Sequence, residues 1–340
     1  MKLLTIAVPT YNRADHLQLL LRSLREQVCD VADSVQVLVS DNASTDGTPQ
    51  LLTQARADWP ELVTRRNEHN LGADGNFCEI LDRIDTRYFW ILGDDDMPKS
   101  GVIAMIVMLL TQESPALVYL QSEWVTSIAG PRQGTPIDRL SVRPLSRLEF
   151  ARQVHVWCTF ISGMIVDHQQ LMRGLHGHTV RRYTGTSLVQ LGWVFPVLDS
   201  ATKFMFVSDR CVLATKDNTG GYSLLKVFGV NFTRVVREAF KSQPRIARVM
   251  IARNITRYLP GIIWNSRSPV GQPFIDDNPW PLMRRELGMQ PLYWALLLPL
   301  GRFPRILAQP LYQAWRVVNR CSRELDAWTQ RLRPPRGLSR

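Results

Sequence analysis

Two hydrophobic periods alternate along the first 125 residues. Leu3–Val8 is a short apolar run of strand character, and Ala14–Gln27 follows with Leu17, Leu20, Leu21 and Leu24 at helical spacing. The pattern then repeats: strand at Val35–Val39, helix at Thr48–Ala57, strand at Leu62–Arg65, helix at Gly75–Ile84. A fourth strand at Tyr88–Leu92 precedes a helix at Gly101–Leu110, and a fifth runs through Ala116–Leu120. Strands alternating with helices of this length predict βαβ crossovers and an α/β fold with a mainly parallel central sheet. In such sheets ligands sit beyond the C-terminal strand ends, so those tips are where chemistry is expected.

Beyond Ser127 the pattern loosens. Ile128–Arg143 is rich in Pro, Gly and Arg and reads as a loop or flap. Apolar runs at Phe160–Val166 and Lys203–Val207, with a helix at Ser187–Val197 between them, are expected to complete the sheet. From Phe228 onward the pattern is helical with frequent proline breaks. This predicts a division into 1–125, 126–228 and a helical C-terminal region, 229–340.

Composition changes this picture mainly through charge. The 340 residues carry a net charge of +11, yet residues 1–230 hold 22 Lys+Arg against 24 Asp+Glu, so the excess lies entirely in the last third. A basic end of that kind wants an anionic partner. Pro291–Tyr312 is apolar but cut by Pro299, Pro304 and Pro310, which excludes a bilayer span. Trp294, Trp315 and Trp328 lie among Arg302, Arg305, Arg316, Arg320 and Arg323, a mixture suited to an anionic membrane surface. The competing reading is a helical subdomain with an ordinary solvated arginine face. No nucleic-acid-binding motif accompanies the charge, so nucleic acid is not an expected partner. Five widely spaced cysteines without a CxxC argue against disulfides or a zinc ribbon and for a reducing compartment. The apolar start Leu3–Val8 breaks at Pro9, so no signal peptide is read, and a cytoplasmic protein, peripheral at the inner face of the membrane, is expected.

Three strand tips collect polar groups. The first reads Val8-Pro9-Thr10-Tyr11-Asn12-Arg13 and the second Ser40-Asp41-Asn42-Ala43-Ser44-Thr45-Asp46-Gly47-Thr48. Ser44, Asp46 and Thr48 fit turns and helix caps, whereas Asp41 stands at the strand tip, placed to accept from a ribose or a base edge. The fourth strand ends in Gly93-Asp94-Asp95-Asp96. Three adjacent carboxylates after a buried strand repel one another and resist desolvation. A divalent cation removes that cost, and carboxylate oxygens suit Mg²⁺ or Mn²⁺ sharing its shell with phosphates and water.

These motifs resemble family 2 glycosyltransferases with the GT-A fold. The resemblance rests on Val8–Arg13, Ser40–Thr48, Asn70-Leu71-Gly72 with Asn76, and Gly93–Asp96 as the DXD region, and it covers residues 1–125. It implies that Pro9, Thr10, Tyr11, Asn12, Asp41, Asn70, Gly72, Asn76 and Asp94 bind a nucleoside-diphosphate sugar, with Asp95 and Asp96 on the metal. Two registers stay open: strand alternation pairs Asp94 with Asp96, while alignment on the family's acidic quartet makes Asp95 the ligand. The implied reaction is an inverting displacement by an acceptor hydroxyl, assisted by an acidic base.

The segment expected to supply that base, Tyr183–Trp193, contains no acid. Asp199 and Asp217 are the nominated substitutes. The glycine-containing stretch Asp217–Tyr222, together with Gly185–Trp193, is similar to the abequosyltransferase-like branch, which implies a deoxysugar and a lipid-linked glycan acceptor in O-antigen synthesis. Two other classes compete. A sugar-nucleotide pyrophosphorylase would carry a Gly-rich basic loop after the first strand, which Val8–Arg13 is not. A non-catalytic nucleotide-sugar-binding scaffold of a polysaccharide-assembly complex would bind donor without hydrolysing it.

Overall fold

The computed structural model describes residues 1–128, 136–215, 221–267, 278–331 and 336–339. The predicted alternation is present: β1 (Leu4–Thr10), α1 (Ala14–Val28), β2 (Val35–Asp41), α2 (Thr48–Asp58), β3 (Val63–Arg66), α3 (Gly72–Leu81), β4 (Tyr88–Ile91), β5 (Met97–Pro98), α4 (Val102–Glu113) and β6 (Leu117–Val125). Strands β3-β2-β1-β4 are parallel neighbours, joined by right-length helical crossovers. The four leucines of the α1 stripe are all buried against this sheet, as their spacing requires.

The second half adds β7 (Arg139–Leu145), α5 (Arg147–Val154), β8 (Met164–Asp167), α6 (His168–Gly174), α7 (Leu191–Ser200) and β9 (Phe204–Thr215). Here the sheet becomes mixed. β8 inserts antiparallel between β4 and β6, β9 runs parallel to β6, and β7 and β5 pair antiparallel with β9. Including β10 (Arg336–Ser339) on the outer edge, ten strands form one sheet in the order β10-β7-β9-β6-β8-β4-β1-β2-β3, with β5 attached to β9.

Three expectations change. The run at Phe160–Val166 is a strand only from Met164, because Ile161–Gly163 forms a tight helical turn first. The helix expected from Ser187 begins at Leu191, since Gly185 (φ 80°) and Ser187 (φ 59°) take left-handed conformations that a helix cannot include. Arg139–Arg143, the end of the segment read as loop, belongs to β7, which pairs with β9 through Val142–Leu145.

The C-terminal region contains α8 (Phe232–Ala239), α9 (Pro244–Arg253), α10 (Leu259–Ser266), α11 (Trp280–Leu287), α12 (Leu298–Arg302) and α13 (Arg305–Arg331). Pro244 and Pro281 stand in the first turn of α9 and α11, where their missing N–H costs nothing, while Pro260 and Pro299 follow directly on the wide π turns Asn254–Tyr258 and Tyr293–Leu297 that run into α10 and α12. Pro310 stands inside α13. One apolar core runs from Ile91 and Phe204 of the sheet through Phe232 and Met250 to Tyr293, Leu297 and Leu300. The helical region is therefore packed on the α/β half rather than appended to it.

Candidate active site

The tips of β1, β4 and β9, with the loop after β2, surround a cavity of 560 Å³. Pro9 sits in β1 just past Ala7, the last residue paired with β4, so its missing N–H leaves no gap in that ladder. Thr10 then turns inward and donates from Oγ1 to Asp94 Oδ2 at 2.7 Å. Tyr11 is exposed at the cavity lip. Asn12 is left-handed (φ 53°), a conformation asparagine tolerates, and does not line the cavity. Its Oδ1 accepts from Thr45 N–H at 2.7 Å while its own N–H donates to Ser44 Oγ at 2.9 Å, which staples the first loop to the second. Asp46 accepts from the N–H groups of Ala14 and Thr48, the capping role read from its turn.

Asp41 is fully buried but lines a neighbouring 590 Å³ cavity, with Arg56, Arg65 and Arg66, instead of joining Thr10 and Tyr11. Its carboxylate accepts from Arg66 at 2.5 Å and from Ser44 N–H at 2.9 Å. Asn42 takes the cavity-facing place next to it. Asn42 Nδ2 donates to Asn70 Oδ1 and to the Gly72 carbonyl, and its Oδ1 accepts from Leu71 N–H and Asn67. Asn76 accepts from Ser40 and Asn67 and donates back to the Ser40 carbonyl. These amides hold one another, so Asn70, Gly72 and Asn76 build the cavity wall as a rigid set.

The acidic loop forms the opposite wall. Arg13 Nη1 lies 2.6 Å from Asp95 and 3.5 Å from Asp94. Burial pushes the Asp94 carboxyl up to about 6, against the pull of Arg13 and the Thr10 hydroxyl. Burial and the neighbouring Asp95 charge push Asp96 up to about 7. Ser162 Oγ donates to Asp96 Oδ2 at 2.5 Å and accepts from Gly93 N–H at 2.9 Å, and Thr215 N–H donates to Asp96 Oδ1 at 3.3 Å. The tight turn at Ile161–Gly163 thus serves to bring Ser162 under the acidic loop. Asp95 Oδ1 and Asp96 Oδ2 lie 3.0 and 3.1 Å from the point where a Cβ on Gly93 would sit, so glycine leaves a cradle between two carboxylate oxygens. Thr215 Oγ1, on the same wall, is buried without a hydrogen-bond partner among the described residues.

Of the two nominated bases, Asp199 stands at the end of α7 in a separate 260 Å³ cavity with His176 and His178, and its carboxylate accepts from Gln243 at 2.6 Å. Asp199 therefore stands apart from the acidic loop. Asp217 lies outside the described residues. Sequence reasoning missed Asn42, Arg13, Ser162 and Thr215 as site residues. Arg13 was legible in principle, as a cation beside an acidic cluster; Ser162 carried no local signal, because only the β8 insertion brings it near.

A mixed sheet with an acidic loop at the β4 tip and an amide-lined cavity at the β1 and β2 tips is the GT-A class of nucleotide-binding fold. Solved structures bear this out at the level of fold. Staphylococcus aureus TarS 1–349 in complex with UDP matches with a TM-score of 0.60 at 17% identity, over 95% of this chain and 92% of that one. The mannosyltransferase PcManGT from Pyrobaculum calidifontis, in complex with GDP-Man and Mn²⁺, matches at 0.52 and 14%, over 93% and 86%. Residues 5–166 match the family model Glycosyl transferase family 2. Among curated proteins, abequosyltransferase RfbV of Salmonella typhimurium is 36% identical over 119 residues, 35% of each chain. The GalNAc(5)-diNAcBac-PP-undecaprenol beta-1,3-glucosyltransferase of Campylobacter jejuni is 29% identical over 105 residues, 31% of this chain and 33% of that one. The chain thus spans about a third of the length of the curated relatives it matches.

Proposed function

We propose that this protein transfers a sugar, with a deoxyhexose as the favoured class, from a nucleoside-diphosphate donor to a hydroxyl of a lipid-linked glycan during surface-polysaccharide or O-antigen assembly. The observation that carries the reading is the convergence of Asp94, Asp95 and Asp96 with Arg13, and with a Thr215 hydroxyl that has no partner among the described residues, on one amide-walled cavity. The abequosyltransferase likeness favours the deoxysugar, and the name of the Campylobacter relative favours the lipid diphosphate.

In this reading the base and ribose lie along Tyr11 and the Asn42–Asn70 wall, toward the Asp41–Arg66 pair, and the diphosphate lies over Thr10, Arg13 and the acidic loop. The hard oxygen donors of Asp95 and Asp96, set around the empty space at Gly93, fit a divalent cation whose remaining ligands come from phosphate and water. Among the described residues no group of three or more metal-ligating side chains closes a shell alone, which such sharing does not require. Bound there, Mg²⁺ or Mn²⁺ would stabilise charge developing on the diphosphate leaving group. Arg13 pairs with Asp94 and Asp95 and offers the same leaving group a second positive charge. Thr10 and Ser162 fix the outer carboxylates through their hydroxyls. Asp217 is retained as the acceptor's base on sequence position alone, two residues beyond Thr215, and the displacement inverts the anomeric carbon.

The C-terminal region supplies the acceptor's surface in this reading. Met289, Leu292, Trp294, Phe303, Ile306 and Leu307 are exposed, with Arg284 over the Trp294 ring and Arg305 over Trp264. Apolar side chains among arginines suit the headgroup layer of an anionic bilayer. Among the described residues no helix is long and apolar enough to cross one.

Calorimetric titration with UDP, CDP, GDP and dTDP, each with Mn²⁺ and with chelator, tests the donor site. One nucleotide should bind in a metal-dependent manner. Folded protein that binds none of the four refutes the proposal.

A further inference from the structure

The cavity has an aromatic wall that neither the nucleotide nor the diphosphate explains. Trp124, next to last in β6, lines it together with Phe160 and Ile161, and Trp124 is 44% exposed. Strand alternation sets its direction. Val125 packs with Met97, Ile128 and Leu213 on one face and Glu123 meets Lys99 at 2.6 Å, so Trp124 projects from the other. Its height is also set, because Trp124 is paired with Ala214 one rung before Val125 and Thr215, and Thr215 N–H reaches Asp96. The indole is therefore one sheet rung from the acidic loop.

The ring is held from behind. Its centroid lies 5.4 Å from Phe160 and 6.1 Å from Trp157, inclined at 46° and 45°. Trp157 meets Tyr258 edge-on at 5.3 Å, and Tyr258 meets Phe228 the same way at 5.2 Å. A single exposed apolar side chain needs no explanation. A large, pre-oriented indole, backed by a series of rings and open to a polar cavity, is built to receive an apolar face. Pyranose rings present such a face, a patch of C–H groups on one side of a ring whose hydroxyls point outward.

We propose that Trp124, braced by Phe160 and Trp157, is a stacking platform for a pyranose ring. This rests on the glycosyltransferase reading above and adds to it a specificity-determining residue outside the nucleotide and diphosphate contacts. The pyranose is either the donor's own sugar or the terminal sugar of the acceptor, and the two are separable by experiment.

The test begins with a panel of UDP-, CDP-, GDP- and dTDP-sugars, from which wild-type protein selects a donor by release of nucleoside diphosphate, and with octyl glycosides as acceptors. Trp124→Ala and Trp124→Phe are then compared with wild type in the Kd of the selected donor, the Kd of its parent nucleoside diphosphate, and the KM of the acceptor. The parent nucleotide should bind all three proteins equally, which also reports folding. If the donor sugar stacks, Trp124→Ala loses roughly tenfold of the affinity advantage that the sugar confers; if the acceptor stacks, its KM rises by roughly tenfold. Trp124→Phe should recover most of either loss. An alanine variant with both quantities as in wild type overturns the platform. Failure of the underlying reading appears differently, as wild-type protein that neither binds nor cleaves any member of the panel.

Discussion

Replacing Asp96 by asparagine should make the protein more stable and stop it working. The carboxyl is buried, 2.5 Å from the Ser162 hydroxyl, and pushed from 3.8 to about 7 by burial and by Asp95. A carboxyl whose folded value is raised contributes stability that is complete below its unfolded value and disappears as pH climbs through the folded one. At pH 8 the folded protein must therefore carry an unwelcome charge, at a cost of about 4 kcal/mol. At pH 5 the cost falls to about 2 kcal/mol, because the folded carboxyl keeps its proton. Asparagine has no charge to bury and its Oδ1 can accept from Ser162, but its Nδ2 then faces the Thr215 N–H, a lost bond that costs about 1–3 kcal/mol at every pH. Asp96→Asn should therefore raise Tm by about 3 °C at pH 8 and by clearly less at pH 5. Adding Mn²⁺ with the cognate nucleoside diphosphate should raise the wild-type Tm at pH 8 and leave the variant unmoved. Scanning fluorimetry across pH 5–8 measures all of this. An asparagine variant less stable than wild type at pH 8, or one whose gain is independent of pH, refutes the claim that this site stores charge repulsion for a cation to relieve.

Further outcomes follow from the same geometry. Asp199→Asn should leave turnover near wild type, since its carboxylate meets Gln243 in a different cavity, while Asp217→Asn should lower kcat by roughly a hundredfold or more with donor affinity unchanged; near wild-type kcat in Asp217→Asn removes it as the base. Asp46→Ala should lower stability by about 1 kcal/mol through two lost cap bonds without altering nucleotide Kd, so a weakened nucleotide Kd in titration would contradict its purely capping role. Reversing Arg302 and Arg305 to glutamate should reduce sedimentation with vesicles containing anionic lipid and leave donor hydrolysis intact; undiminished vesicle binding counts against the interfacial face.

Much of the fold could be read because the first half obeys local rules. The α1 leucine stripe, the apolar β4 run and the turn-rich tips each report their own environment. The second half does not. β8 pairs antiparallel between two strands far from it in sequence, and nothing in Met164–Asp167 announces that insertion. Ser162 was unreadable for the same reason, its role depending on where β8 carries the turn before it. Asp41 differs in kind: its place at the strand tip predicts an acceptor for a ribose or a base edge, and in the structure Arg66, only 25 residues on, already donates to its carboxylate. Asp199 is an acid close in sequence to the acid-free Tyr183–Trp193, and closeness in sequence cannot tell which cavity a helix end will face.

The continuous core between sheet and C-terminal helices has a consequence for substrate length. Tyr293, Leu297 and Leu300 sit in the same apolar mass as Ile91 and Phe204, so the basic face and the cavity belong to one rigid body. If that face lies on a bilayer, the cavity stands at a fixed height above it, and the protein acts as a gauge: an acceptor glycan extends far enough to present its terminal hydroxyl, or it does not. Position in the assembly order would then be read as distance from the lipid, with no recognition of the earlier sugars required.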